Sequence, residues 1–505
     1  MISSQLRVSK ETVVRTDTVL DTAFEQPAEK DFVLPDYCPD VFRILRCRLT
    51  PRVTSQSISG GKLTVDTEAV IRVMYLSEGS GRINLLEHKL TFSKTLDLGD
   101  CTAPTVKAVP RLDYVNCRVV NQRRVDVRGA YTVKICVTAE SRRSFVTGAV
   151  GAGIQLRQQT AVYPAKRLTA SKRITVVEEL ELGGAKPPVG AVLRSECRIN
   201  RSEQRVVSGK LITKGEASVE LLYIPADSES TAVETMSFGL PFSQIIDVEG
   251  LDESFEVRLD TVSACCEVMP RADDGSRLEC ELVMLVNCTA VRYESCEAVT
   301  DAFSTQYECT VEQSDISLGE QPGPVCAEFT SEGTLTCSDG EIASVASVWC
   351  EAGNITLREG RTVSGSLNFS AIGQNAEGSA VWLENEIPFE FTCDSPMSSD
   401  TSVTVRSCTY RLGEGGAVEV RAVLAAEGSV CGSSFVPLAD ITVDTDKPLE
   451  KAGSCAVKLC SVSAGEELWE LARRCRTSVE AIKEENGLSS DKTETGGMLL
   501  IPLIN

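Results

Sequence analysis

The sequence contains a single histidine, His88. A nucleophile–histidine triad or a His-rich metal site needs partners around it, and none can be named. In "LLEHKLTF" it falls in an alternating segment, as an ordinary strand residue would. Long apolar runs are missing too. No stretch approaches the ~18 residues of a membrane span, and the opening "MISSQLRVSKETVVRTDTVLDTAF" has no apolar core of signal-peptide length. The expectation is therefore a cytosolic protein without a transmembrane segment. There is no C-x-x-C, no second half of a zinc site beside Cys265-Cys266 or Cys455 and Cys460, and no phosphate loop of the G-x-x-x-x-G-K-[ST] type. Paired acids are plentiful, but among 72 acidic residues pairs arise by composition alone. The chain reads as a non-enzyme with no cofactor and no metal.

What is present describes a soluble, multidomain chain. Its 505 residues exceed one hydrophobic core, and 42% hydrophobic with 24% charged residues fits neither a disordered nor a fibrous protein. Twenty-one cysteines form an odd number and a density below that of disulfide scaffolds. Cys280 and Cys288 alternate with Leu282, Met284 and Val286, which places them on the apolar face of a strand as small hydrophobes. Mostly free, buried thiols are expected. Net charge is −21 but uneven: residues 1 to 160 carry 23 basic and 17 acidic side chains, the remaining 345 carry 28 and 55. The acidic part argues against nonspecific nucleic-acid binding, while the mildly basic first part either faces an anionic partner or is simply solvated.

Internal similarity is the most informative feature. "SGGKLTVDTEAVIRVMYL" at 59–76 parallels "SGKLITKGEASVELLYI" at 208–224, and a weaker copy occupies 343–369, "ASVASVWCEAGNITLREGRTVSGSLNF". Leu63, Leu211 and Leu367 are taken as equivalent, with the Ser-Gly steps as turns, so each copy is about one domain long. Alternation at Val125, Val127, Tyr131, Val133, Ile135 and Val137, and again at Val418, Val420, Ala422 and Leu424, marks strands with one buried face. The reading is mainly β: three tandem antiparallel domains, sandwich or open barrel, at 1–158, 159–305 and 306–445, then a linker at 446–454 and a small domain at 455–505.

That last segment changes period. A short strand leads to Gly465, then Leu468, Leu471, Ala472 and Cys475 recur at helical spacing. Thr477 or Ser478 can cap a second helix carrying Ile482 inward, Asn486-Gly487 can end it, and "MLLIP" closes as a strand. Trp469 is either core against the second helix or an exposed interface anchor.

In "FVLPDYCPDVFRIL", residues 32–45, Pro35-Asp36 and Pro39-Asp40 read as turn starts, with Cys38 a small residue of the turn and Val41, Ile44 and Leu45 a helical or extended apolar segment packing on the domain. The second copy, "GGAKPPVGAVL", lacks the cysteine and both aspartates, so no chemistry is shared by the repeats. A binding role for this first-copy loop stays open.

Val462, Gly465, Leu468-Trp469, Leu471-Ala472, Ser478, Ile482, Asn486-Gly487-Leu488, Gly496, Leu499 and Ile501-Pro502 resemble a LysM module, and "LPDYCPDVFRIL" with the repeated Ser-Gly strand unit resembles the SPOCS, or spore-coat, domain. Three such units before a LysM resemble the SipL-like spore-envelope morphogenesis proteins. The resemblance implies a scaffold of the mother-cell cytoplasm at the forespore surface, whose LysM binds the coat's basement-layer, SpoIVA-like ATPase while the β-domains contact other coat proteins. On that basis Gly465, Glu466, Glu467, Leu468, Asn486, Gly487 and Leu488 are the expected docking residues. The alternative is a LysM that holds peptidoglycan or cortex, with the β-domains as spacers. Glu466-Glu467, where glycan-binding members commonly have Asp-Thr, weighs against it, and two acids there also suit a helix N-terminus.

Overall fold

The computed structural model describes residues 6–78, 82–226, 233–271, 275–319, 323–337, 341–397, 401–430, 433–449 and 456–503. Cys455 and residues 450–454 of the expected linker lie outside them. The alternating segments form antiparallel strands. Unit one runs β1 (Arg7–Val33), β2 (Val41–Ser59), β3 (Lys62–Ser77), β4 (Ile83–Asp97), β5 (Thr105–Asn121) and β6 (Arg124–Val150). They pair as two open sheets, β2-β3-β4 and β1-β6-β5. The central strands β3 and β6 supply most of the shared core, with Val65, Ile71, Val127, Tyr131, Ile135 and Val137 fully buried. This is a sandwich rather than a closed barrel.

Unit two repeats the order with β7 (Ile154–Glu181), β8 (Val189–Val207), β9 (Lys210–Pro225), β10 (Glu234–Asp247), β11 (Glu256–Pro270) and β12 (Arg277–Ser304). Its core contains Cys280, Leu282, Met284, Val286 and Cys288, the alternating set read from the sequence. In both units the first and last strands outrun the rest: β1 stays paired with β6 from Arg7 to Val33 and β7 with β12 from Ile154 to Glu181, so a two-stranded arm projects from each sandwich.

Unit three keeps the sandwich but breaks the arm. It comprises β13 (Tyr307–Gln313), β14 (Leu318–Gly319), β15 (Pro324–Leu335), β16 (Ile342–Arg358), β17 (Thr362–Asn375), β18 (Ala380–Thr392), β19 (Ser402–Leu412), β20 (Val418–Ser429), β21 (Ser434–Phe435) and β22 (Leu438–Pro448). The sheets are β16-β17-β18 and β15-β20-β19, while the arm survives as the separate pair β13-β22 and as β14-β21, which extends the sheet of unit two through β14 beside β7.

One expected turn is corrected. Gly60-Gly61 and Gly209 do turn, at positive φ. In the third unit the turn lies at Glu359-Gly360, and Ser364-Gly365 sits inside β17, opposite Phe389. A Cβ on Gly365 would come within 2.9 Å of the Phe389 ring and 2.8 Å of the Gly353 carbonyl, so this glycine is kept for close packing. Gly215 faces Phe242 in the same way, and the corresponding partner of Phe92 is Thr67.

The three units form one body. Met74, Leu222, Ile372, Trp349 and their neighbours make an apolar junction at one end of the sandwiches. At the other end the arms pack together through Val13, Phe145, Tyr163, Ala298, Ile316 and Leu318. The charge asymmetry resolves here. Arg46 pairs with Glu384 at 2.5 Å, Arg48 with Glu351, Lys89 with Glu267 at 2.5 Å, Arg143 with Asp315 at 3.1 Å and Lys10 with Asp440 at 3.1 Å. Basic groups of unit one thus meet acids of units two and three within the chain.

The tail folds as β23 (Val457–Val462), α1 (Leu468–Cys475), α2 (Val479–Asn486) and β24 (Gly497–Pro502), with β23 antiparallel to β24. Ser478, not Thr477, caps α2 by accepting from the Ala481 N–H, and Gly487 ends it in the left-handed conformation. Thr477 is buried and donates to the Pro502 carbonyl.

Candidate functional site

Two loops of the tail face each other, the one before α1 and the one after α2. Gly465 N–H donates to the Thr493 carbonyl and Leu468 N–H to the Asp491 carbonyl, which ties them side by side. The seven expected docking residues meet at this end but do different work. Leu468 is wholly buried in the small core. Asn486 stitches α2 to β24: its amide donates to the Ile482 and Leu500 carbonyls and its carbonyl accepts from the Leu500 N–H. Gly465 and Gly487 hold positive φ, and Leu488 packs half-buried on the core. Only the two glutamates present charge. Glu466 accepts from the Ser463 N–H at 3.0 Å and faces Arg474 at 3.3 Å. Glu467 faces Lys492 at 3.3 Å and Arg157, from the arm of unit two, at 3.1 Å. The Lys492 ammonium, then Arg157, hold the Glu467 carboxyl below the usual range. Neither acid caps α1 through its side chain.

Trp469 is buried in the cluster of the small core, as one of the two readings has it, and it also packs on unit two: its ring meets Phe303 edge-on at 4.9 Å and its indole N–H donates to Asp301 at 2.8 Å. Arg473, one turn on, pairs with the same aspartate. The helix turns Leu468, Leu471, Ala472 and Cys475 to its own core and offers Trp469 and Arg473 on the adjoining face. Sequence reasoning had no access to Asp301, Phe303 and Arg157, because their partners lie more than a hundred residues away.

The other side of the tail is uncovered. On the outer face of β23-β24, Val457, Leu459, Met498 and Leu500 are 42%, 57%, 56% and 41% exposed, with Leu459 and Leu500 directly paired across the strands. A two-stranded sheet with helices on one face only leaves the other face free, and here that face is apolar.

The Cys38 loop is a turn, as expected. Cys38 N–H donates to the Pro35 carbonyl, and the Arg123 guanidinium donates to the carbonyls of Leu34, Pro35 and Cys38 and to Asp40. Val41, Ile44 and Leu45 continue as the extended strand β2, and Tyr37 and Phe42 are left exposed, at 87% and 69%. His88 lies on β4 with Phe32 edge-on to it. Free thiols are more accessible than expected: Cys47, Cys280, Cys288, Cys350, Cys393 and Cys475 are buried, Cys326 is exposed, and the others described are half-buried. A cavity of about 160 Å³ at the three-unit junction is lined by Arg48, Arg72, Arg194, Trp349 and Trp382 among others. The Arg194 guanidinium lies 4.4 Å over the Trp349 ring, and burial holds its pKa down to about 10.

Comparison with protein families places the SipL, SPOCS domain model on residues 40–120 and 188–268 and the LysM domain model on residues 460–502. The SPOCS matches span β2–β5 and β8–β11, the middle of the first two sandwiches. No curated protein and no solved structure matches the chain.

Proposed function

From a chain with the domain make-up of a SipL-like protein, two SPOCS domains and a C-terminal LysM, we propose a scaffold for assembling the spore coat at the forespore surface, inside the mother-cell cytoplasm. These are binding domain families without catalysis, and they support a sporulation-related scaffold that binds protein or peptidoglycan. In the finer reading, the LysM docks onto the SpoIVA-like coat ATPase. The supporting observation is the bare apolar sheet face of Val457, Leu459, Met498 and Leu500, in a module whose groove acids are already paired within the chain. An uncovered apolar face suits a protein surface, and a sugar would call for free polar groups in the groove. Arms and sandwiches that form one body would hold further coat contacts at fixed separations, so that weak sites reinforce one another.

The test is binding of the full chain to the purified coat ATPase and, in parallel, to insoluble peptidoglycan. Leu459→Asp with Leu500→Asp is expected to weaken ATPase binding at least about tenfold, or ~1.4 kcal/mol. Loss on Glu467→Lys alone, with the sheet variant binding normally, would move the docking face to the groove. Retention on peptidoglycan without ATPase binding would replace this reading with the LysM family's glycan-binding one.

A further inference from the structure

The cysteines described are thiols rather than disulfides, and several share one core. The two sheets of each sandwich meet along a seam between β2 and β5, β8 and β11, or β16 and β19. Cys47 on β2 and Cys117 on β5 pack into one core at the first seam, and Cys197 on β8 and Cys266 on β11 share the second, with Cys280 on the strand beside Cys266. Cys350 on β16 and Cys408 on β19 pack into one core at the third. In the LysM, the sulfurs of Cys460 and Cys475 are 3.8 Å apart, bringing the end of α1 to β23. These pairs are not simply copied with the repeat. The register sets Cys47 opposite Val73 but Cys197 opposite Val219, the position held in unit one by Leu49 opposite Ile71.

We propose that Cys47–Cys117, Cys197–Cys266, Cys350–Cys408 and Cys460–Cys475 are four disulfide sites, one in each folded unit, that close when the folded chain meets glutathione disulfide. A sulfur–sulfur bond is about 2.0 Å long, so the LysM thiols need side-chain rotation and no change of fold. Within unit one Cys47 is buried and Cys117 half-buried, and the neighbouring Cys47 holds the Cys117 thiol below its usual range with burial opposing, which makes Cys117 the attacking group. Its thiolate attacks one sulfur of glutathione disulfide and expels a glutathione thiolate. Cys47, having given its proton to water, then attacks the Cys117 sulfur of the mixed disulfide and expels the second glutathione. Two protein thiols become one disulfide, and one glutathione disulfide becomes two thiols. Because both sulfurs of each pair sit inside one unit, oxidation staples the units and leaves separate chains unlinked.

The experiment incubates the native full chain with glutathione disulfide, alkylates the remaining thiols, digests without reduction and maps linked peptides by mass spectrometry. Four linked pairs, each lighter by two hydrogens, are expected in a protein that stays single on a non-reducing gel. Its melting midpoint rises by roughly 5 °C and falls back with dithiothreitol. Cys475→Ser should delete only the LysM pair and Cys117→Ser only that of unit one, so a variant that fails to fold leaves the other informative. Linkage between units or between chains, a Cys266–Cys280 bond in place of Cys197–Cys266, or glutathione caught only at Cys326 in a folded protein would overturn the assignment.

Discussion

The chain has two kinds of joint. Among the three sandwiches the joint is built like a core: apolar clusters at both ends, with ion pairs such as Arg46–Glu384 and Lys89–Glu267 between them. The LysM is held to unit two by one aromatic pair, Trp469 on Phe303, and by charges gathered at Asp301 and Glu467. A core-like joint fixes geometry and is lost only with the fold, whereas a small polar one can open while both sides stay folded. On this basis the three units are expected to open only together, and the LysM joint is expected to open first.

The comparison is broken most directly at Trp349, the largest fully buried side chain, which packs on Arg194 of unit two and edge-on to Trp382 at 5.1 Å. Trp349→Ala is expected to cost about 3–5 kcal/mol and to lower the melting midpoint of the sandwiches together. Unchanged melting of units one and two would show that they do not depend on the junction. Gly215→Val comes next, at about 1–3 kcal/mol, because its Cβ would lie 2.4 Å from the Asn200 carbonyl and 2.7 Å from the Phe242 ring. Thr67 already fills the position opposite Phe92, so unit one has room where unit two has none.

The LysM joint is expected to yield to Asp301→Asn, which leaves the LysM sequence intact. It removes the charge that Arg473 pairs with, and a variant of this kind costs about 1–3 kcal/mol when a partner is left behind. Amide exchange should rise at the Asp301–Phe303 segment and along α1, while the sandwiches melt as before. Equal loss throughout the chain would mean that the LysM is welded on as firmly as the units are to each other.

Much of this was legible where the signal is local. Alternation at Val125–Val137 and Leu278–Cys288 revealed the buried strands, and the 3.6-residue spacing of Leu468, Leu471, Ala472 and Cys475 revealed α1. Ser364-Gly365 misled because glycine serves turns and close packing alike, and only the facing Phe389 decides between them. The arms were hidden for another reason: their pairing runs on past the sandwich without any change of period. Arg123, which organises the Cys38 loop, and Asp301, which receives Trp469, could not be found from spacing, since their contacts follow from tertiary packing and leave no periodic trace.

The smallest and sharpest test uses acid. Burial opposes ionisation of Glu267, but Arg52 and Lys89 of unit one outweigh it and hold the carboxyl at about 2, against about 4.3 for a free glutamate. A carboxyl depressed in the folded state adds stability in full above the free value and loses it as pH falls through the folded one. The contribution of Glu267 to the sandwich joint should thus fade between about pH 4.3 and pH 2. Glu467 is also held down, by Lys492 and then Arg157, but it is an exposed pair, screened by water and salt. Its share of the LysM joint should fade earlier on acidification and shrink with added salt. Amide exchange followed from pH 5 downward would then show α1 loosening before the strand pair β2-β3 beside Arg52, and Glu467→Gln should erase the first step alone. Simultaneous loosening would mean that one cooperative body includes the LysM, and the distinction between the two joints would fall.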